Sequence, residues 1–250
     1  MRKFILTYPE PDTFVIDLTQ SWTNQTLIAA NRTTQPPNMR AVRQPVLYYD
    51  AVNNMIRRYG GWPYSQGDDI STSMPSELWS FEAGSTTIEW TQNTDPSANG
   101  LPSDSLGPFA PAYAFSNSTL YCFGDVALLY DLPNMTVLSG LVTQDFSSQT
   151  WENNTAQIPN QSPFRTESRA VFVPNFGDQG FLLVVGGESP PTEASFYQEG
   201  DWMVDMSIIT LYEIATEAWY TQRATGDIPP PRSVFCAVGS ASSDGQYFEM

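Results

Sequence analysis

Apolar residues fall in short runs separated by clusters of Pro, Gly, Asn, Ser and Thr, and no stretch sustains a 3.6-residue apolar period. The runs recur in a fixed order. One kind precedes a tryptophan: Phe14-Val15-Ile16-Asp17 before Trp22, Leu78-Trp79-Ser80-Phe81 before Trp90, Leu141 to Phe146 before Trp151, and Leu211-Tyr212-Glu213-Ile214 before Trp219. The four indoles are 68, 61 and 68 residues apart. A second kind runs into glycine: Ile56 to Gly60-Gly61, Leu120 to Gly124-Asp125, and Leu182 to Gly186-Gly187. An arginine, Arg40, Arg169 or Arg232, leads a further apolar run upstream of that place in three units.

Each unit therefore reads as four short strands with turn chemistry between them. A long period in which every unit is all-β predicts a propeller. A four-stranded sheet cannot bury both faces alone, but stacked around an axis it packs between neighbours. Glycine suits a strand that closes on a crowded axis, where side chains do not fit and φ must be free. Gly-Gly and Trp also punctuate β-sandwiches, but their correlated order favours the propeller. The pattern predicts a partial blade over 13–29, full blades over 40–93, 108–155 and 169–222, and opening strands of another over 233–250. The ends either pair to complete a fourth blade or belong to a larger ring; we read an incomplete ring, with linkers over 33–38, 94–111, 153–163 and 224–231.

The order Arg, apolar run, Gly-Gly, aromatic, Trp resembles a kelch repeat. The stretch Arg223-Ala224-Thr225-Gly226-Asp227-Ile228-Pro229 with Pro231-Arg232 is similar to the extracellular kelch proteins of filamentous fungi. The middle unit departs from the pattern, since Asp125 follows Gly124 and no arginine stands near Pro108 to Pro111. The units also exceed the usual kelch length of about 50 residues, which assigns the excess to loops. The resemblance implies a non-catalytic scaffold of a secreted or cell-surface protein. Some kelch propellers resemble galactose oxidase, whose copper is held by tyrosine and histidine. This chain has no histidine, so that site cannot be built here, and an oxidase reading would place the active residues outside this chain.

Composition narrows the partners. The 250 residues carry a net charge of −16, and Lys3 is the one lysine. Phosphate backbones and anionic membrane surfaces are repelled, which excludes nucleic acid and leaves no membrane contact from this segment. Without histidine there is no Ser-His-Asp triad and no metal-ligand spacing, so no catalytic, metal or cofactor residues are assigned. Cys122 and Cys236 fall in different blades and read as small buried hydrophobes rather than a disulfide. Six N-x-S/T sequons, at Asn24, Asn31, Asn117, Asn134, Asn153 and Asn160, point to the secretory route and an extracellular or surface location. The N-terminal apolar run is too short for a signal peptide, so the leader and any anchor are expected outside this chain.

Candidate chemistry lies in the connections after the second strands. Trp62, Tyr64, Asp68 and Asp69 follow the first Gly-Gly; Tyr197, Asp201 and Trp202 follow the last. Aromatic rings stack on sugar faces and carboxylates accept sugar hydroxyls, so these loops are candidates for a protein or carbohydrate partner; the same aromatics can instead pack the loops onto the blades. Arg40, Arg169 and Arg232 are expected to hydrogen-bond carbonyls across blade junctions. Asp17, Asp145 and Glu213 are expected to satisfy turn amides.

Overall fold

A computed structural model describes residues 12–14, 21, 23, 32–63, 77–85, 88–93, 99–100, 108, 110–128, 135–154, 157–190 and 202–250. Every element among them is a strand. In chain order they are β1 (Asp12–Phe14), β2 (Arg32–Thr34), β3 (Val42–Arg43), β4 (Val46–Asp50), β5 (Met55–Tyr59), β6 (Trp62–Pro63), β7 (Leu78–Glu82) and β8 (Thr91–Gln92). They continue with β9 (Ala112–Phe115), β10 (Thr119–Leu128), β11 (Met135–Asp145), β12 (Trp151–Asn154), β13 (Arg169–Val173), β14 (Phe181–Val185), β15 (Ile208–Glu213), β16 (Ala218–Arg223), β17 (Ser240–Ala241) and β18 (Phe248–Glu249).

Three antiparallel four-stranded meanders result: β4-β5-β7-β8, β9-β10-β11-β12 and β13-β14-β15-β16. They are stacked blades. Successive side chains of a strand point to opposite faces, and β10 shows the consequence. Leu120 and Cys122 pack with Val46, Tyr48, Tyr59 and Leu78 of the first blade. Tyr121 and Phe123 pack with Leu182, Val184, Tyr212 and Trp219 of the third. One strand thus feeds two cores, which is why its burial is continuous rather than alternating. Among the described residues the three sheets do not close into a ring.

Tryptophan holds one position in each blade. Trp219 faces Tyr212 across the β15–β16 ladder, Trp151 faces Gln144, and Trp90 continues the β7–β8 register opposite Phe81. From the fourth strand the indole reaches back to the preceding blade. The Trp151 ring lies 4.6 Å from that of Tyr59, and the Trp219 ring 4.5 Å from that of Phe123. Tyr59 and Phe123 are the residues just before Gly60 and Gly124. Trp90 reaches back too, its Nε1 donating to Thr13 Oγ1 at 2.9 Å. Trp22 lies outside the described residues.

The glycines mark a second repeat. Gly60, Gly124 and Gly186 have φ of 63°, 64° and 60°. A Cβ on them would meet Pro108, the Arg165 carbonyl, and Phe235 with the Arg232 carbonyl, respectively. Each is the seat on which the chain entering the next blade rests. The second glycine serves a donor role in two blades: Gly61 N–H donates to Pro108 O at 2.8 Å and Gly187 N–H to Arg232 O at 2.9 Å. In the middle blade β10 continues past Gly124, with a register shift between Phe123 and Asp125. The ladder itself takes over there, so Asp125 replaces a second glycine.

The arginine expectation needs correction. By ladder register Arg169 opens β13 opposite Val185, the place that Val46 and Ala112 hold in the other blades. Arg40 lies outside that register, and its side chain faces Glu77 at 3.6 Å. Arg232 matches Arg165 and Pro108, four residues ahead of that place, where the backbone carbonyl is the working group. Of the two side chains, Arg169 Nη1 donates to its neighbour Ser168 O and Arg232 Nε to Pro230 O, both local bonds. Residues 233–239 form no strand; the terminal hairpin is β17 with β18, because β18 reaches only Ser240 and Ala241. At the other end β1 pairs with β2. Asp145 does hold turn amides, accepting from the N–H groups of Ser147 and Ser148, bonds that keep its carboxyl below the usual range. Glu213 instead accepts from the hydroxyls of Thr216 and Tyr220. Asp17 is outside the described residues. Cys122 is buried and Cys236 exposed, and neither forms a disulfide among the described residues.

A third repeat had no signal in residue type. Gln44, Ala110, Glu167 and Val234 each stand two residues ahead of the ladder-opening place, and each has positive φ: 48°, 56°, 52° and 51°. Left-handed backbone is uncommon outside glycine and an outlier for a β-branched residue. Three of these sites are linked in series across blade junctions, Glu167 N–H to Ala110 O and Val234 N–H to Glu167 O. Val234 is 56% exposed, so its side chain adds little packing. Val234→Gly is expected to stabilise the fold by about 1 kcal/mol, the left-handed penalty of about 1–2 kcal/mol less the entropy cost of glycine. A thermal melt reads this; a lower midpoint would show that the valine side chain matters more than its backbone.

Candidate functional site

The meander sends connections to opposite ends of the stack. Turns between strands one and two and between strands three and four are short: 51–54, 116–118, 174–180 and 214–217, with 83–90 and 146–150. Connections between strands two and three, and from blade to blade, leave from the glycine end and are long. They include 64–77, the β10–β11 hairpin extension, and 186–207. This end carries the excess length of each unit.

The frame at this end is hydrogen-bonded beyond the four-stranded sheets. β3 pairs with β6 in the register of β4 with β5, placing Arg43 opposite Trp62. In the third blade Glu188 bridges Thr166 on one side and Met203 on the other. Ser189 N–H donates to Trp202 O at 2.8 Å, and Val204 N–H to Gly187 O at 2.9 Å. Trp202, half-buried, is thereby fixed at the rim of the third blade. Trp62 is fixed by its backbone in the first blade. Tyr64, Asp68, Asp69, Tyr197 and Asp201 lie outside the described residues, so the two aromatic-acidic groups are located by their flanks only.

Ionisable groups missed by sequence reasoning cluster near that rim. Burial and the neighbouring Glu188 push the Glu167 carboxyl above its usual range. Arg165 is 2% exposed. Its Nη2 donates to Gln161 Oε1 and Thr210 Oγ1, while Nε has no partner among the described residues. Burial pulls its guanidinium down to about 10. Its role is the one seen at Gly124, where its main chain seats the third blade on the second; the side chain fills the junction above Thr210. No group of three or more His, Cys, Asp or Glu that could hold a metal occurs among the described residues. Of the sequons, Asn117, Asn153 and Asn160 are exposed on the 116–118 turn, on β12 and on the 155–168 linker. Asn24, Asn31 and Asn134 lie outside the described residues.

Blades of four antiparallel strands, a left-handed glycine ending strand two and a tryptophan in strand four define a β-propeller architecture of the kelch type. In sequence the chain is similar to a kelch repeat-containing protein of Arthroderma benhamiae, 33% identical over 81 residues. That match covers 32% of this chain and 11% of the relative. No family model matches. The sheets and this relative together fit a kelch-type β-propeller.

Proposed function

We propose that the chain is a non-catalytic interaction scaffold of a secreted or cell-surface protein, presenting its glycine-end loops to a protein or glycan partner. The observation that carries this is the division of labour between the two ends of the three blades: short turns at one, their long connections at the other, over sheets locked by repeated glycine and tryptophan contacts. The name of the A. benhamiae relative, a kelch repeat-containing protein, is in keeping with a scaffold rather than a catalyst. Exposed Asn117, Asn153 and Asn160 are accessible to glycosylation, which supports the extracellular placement. Trp62 and Trp202 are the anchors, since truncating a central aromatic typically removes at least about 2 kcal/mol of binding, roughly thirtyfold.

A glycan array and a panel of cell-surface ectodomains, probed with the fluorescently labelled chain, test this. Bound ligands should lose about thirtyfold in affinity with Trp62→Ala or Trp202→Ala. Binding left unchanged by both substitutions removes these loops from the contact surface.

A further inference from the structure

The innermost strands leave a cavity of about 740 Å³ along the axis of the stack, walled by β4, β9, β13 and residues 236–241. The strands enter it from the same end. Pro108 rests on Gly60, Arg165 on Gly124 and Arg232 on Gly186, so the start of each inner strand lies at the glycine end of the blade before it. The wall is mainly apolar. Leu47, Phe115 and Val238 are 49%, 37% and 81% exposed although they line a concavity, and half-buried Phe172 joins them.

Among the described residues one charge lines the cavity, Arg169. It sits where β13 enters, at the glycine end. Nη1 donates to Ser168 O at 2.7 Å, and the guanidinium stands 5.9 Å from the Phe235 ring. No carboxylate lies within ion-pair distance of it among the described residues. A guanidinium has five donors, so most of its capacity is uncommitted. Gln44 and Tyr113 are the other residues of the lining with side-chain nitrogen or oxygen.

We propose that this channel binds a small amphipathic anion, a carboxylate on an aliphatic or aromatic body. The carboxylate pairs with Arg169 at the glycine end, and the body runs down past Leu47, Phe115, Phe172 and Val238. The volume falls within the range of about 300–1,000 Å³ that holds small molecules, and an apolar wall with few convergent polar groups is their usual setting. A neutral apolar ligand would cover Arg169 and leave its donors without water or partner, a cost the carboxylate removes. A cation would be repelled. Arg169 acts electrostatically on the nearby Glu167, whose carboxyl burial and Glu188 push above its usual range. The chain's more distant acid is screened over about 8 Å at physiological ionic strength, so the guanidinium that lines the channel decides the sign. This site is distinct from the loop surface and stands or falls apart from it.

Isothermal titration calorimetry of the full chain with decanoate, decanol and decyltrimethylammonium tests the assignment. Decanoate should bind at least about tenfold more tightly than decanol, the gain expected of a charge-assisted bond, and the ammonium should give no heat. Arg169→Gln should bring decanoate to the level of decanol, and Arg169→Lys should restore most of the difference. Val238→Trp, at an exposed position, should fill the channel and weaken both ligands. Absence of binding by all three probes, equal affinity for decanoate and decanol, or decanoate binding untouched by Val238→Trp would each overturn it. Should Arg169→Gln fail to fold, the head-group series on the parent chain and the Val238→Trp variant still decide.

Discussion

Gly124→Ala is expected to lower the thermal midpoint by about 6–12 °C. A φ of 64° costs an alanine about 1–2 kcal/mol. The added Cβ would then stand 2.3 Å from the Arg165 carbonyl oxygen and 2.7 Å from the Arg165 Cβ. Both neighbours are rigid parts of the third blade's entry, so relief means moving one blade against another, worth about 1–3 kcal/mol as overpacking. The sum is about 3 kcal/mol, and for a chain of this size each kcal/mol shifts the midpoint by about 2–4 °C. Gly84→Ala is the control. Its φ of 80° carries the same backbone penalty, but nothing lies within 4 Å of the new methyl, so it should cost about 1–2 kcal/mol. Melts followed by near-ultraviolet circular dichroism separate the two. Equal losses in both variants would show that the blade junction yields freely and that the glycine is there for its φ alone.

Asp50→Ala should be at least as damaging. Asp50 is fully buried at the end of β4, and its Oδ2 accepts Arg57 Nε at 2.8 Å. Oδ1 accepts the Asn53 N–H at 3.0 Å, and Gln149 Nε2 from the second blade approaches Oδ2 at 3.3 Å. The carboxylate therefore ties the hairpin turn, a buried cation and the adjoining blade. Removing it strands Arg57, whose side chain is 7% exposed, and breaking such a buried pair costs about 3–5 kcal/mol. Replacing both partners, Asp50→Leu with Arg57→Met, should recover most of the loss, because no uncompensated charge remains. Urea unfolding of the two variants measures this. A double variant as unstable as Asp50→Ala would mean that the turn and cross-blade bonds, rather than the ion pair, set the stability.

What was legible in the sequence follows from how each residue is used. Trp151 and Trp219 are held by ring packing on Tyr59 and Phe123, a role that few other side chains fill. Gly60, Gly124 and Gly186 are held by left-handed φ and the next blade's approach, a role that glycine fills best. Residue type therefore reported position. Arg165 and Arg232 contribute a carbonyl at the matching place, which any residue supplies, and Pro108 supplies it in the middle blade. An arginine pattern was accordingly a poor ruler, and Arg40 was aligned with residues it does not match. The left-handed set Gln44, Ala110, Glu167 and Val234 was invisible for the same reason: the conformation repeats and the side chain does not. Of the candidate site, sequence located the loop end through unit length, since strand length is limited and the surplus must leave the sheet. The apolar channel with Arg169 was not found, because a concave wall and a buried core draw on the same residue types.

The backward reach of the indoles gives assembly a direction. Trp151 and Trp219 dock onto rings already present nearer the N-terminus, so a nascent chain leaving the ribosome always finds its template made. Vectorial synthesis and vectorial packing then coincide, each newly completed sheet zipping onto the last. A circular permutant that opens the chain between 116 and 118 would make Trp151 before Tyr59 and so invert that order at the junction of the first and second sheets, while Phe123 would still precede Trp219.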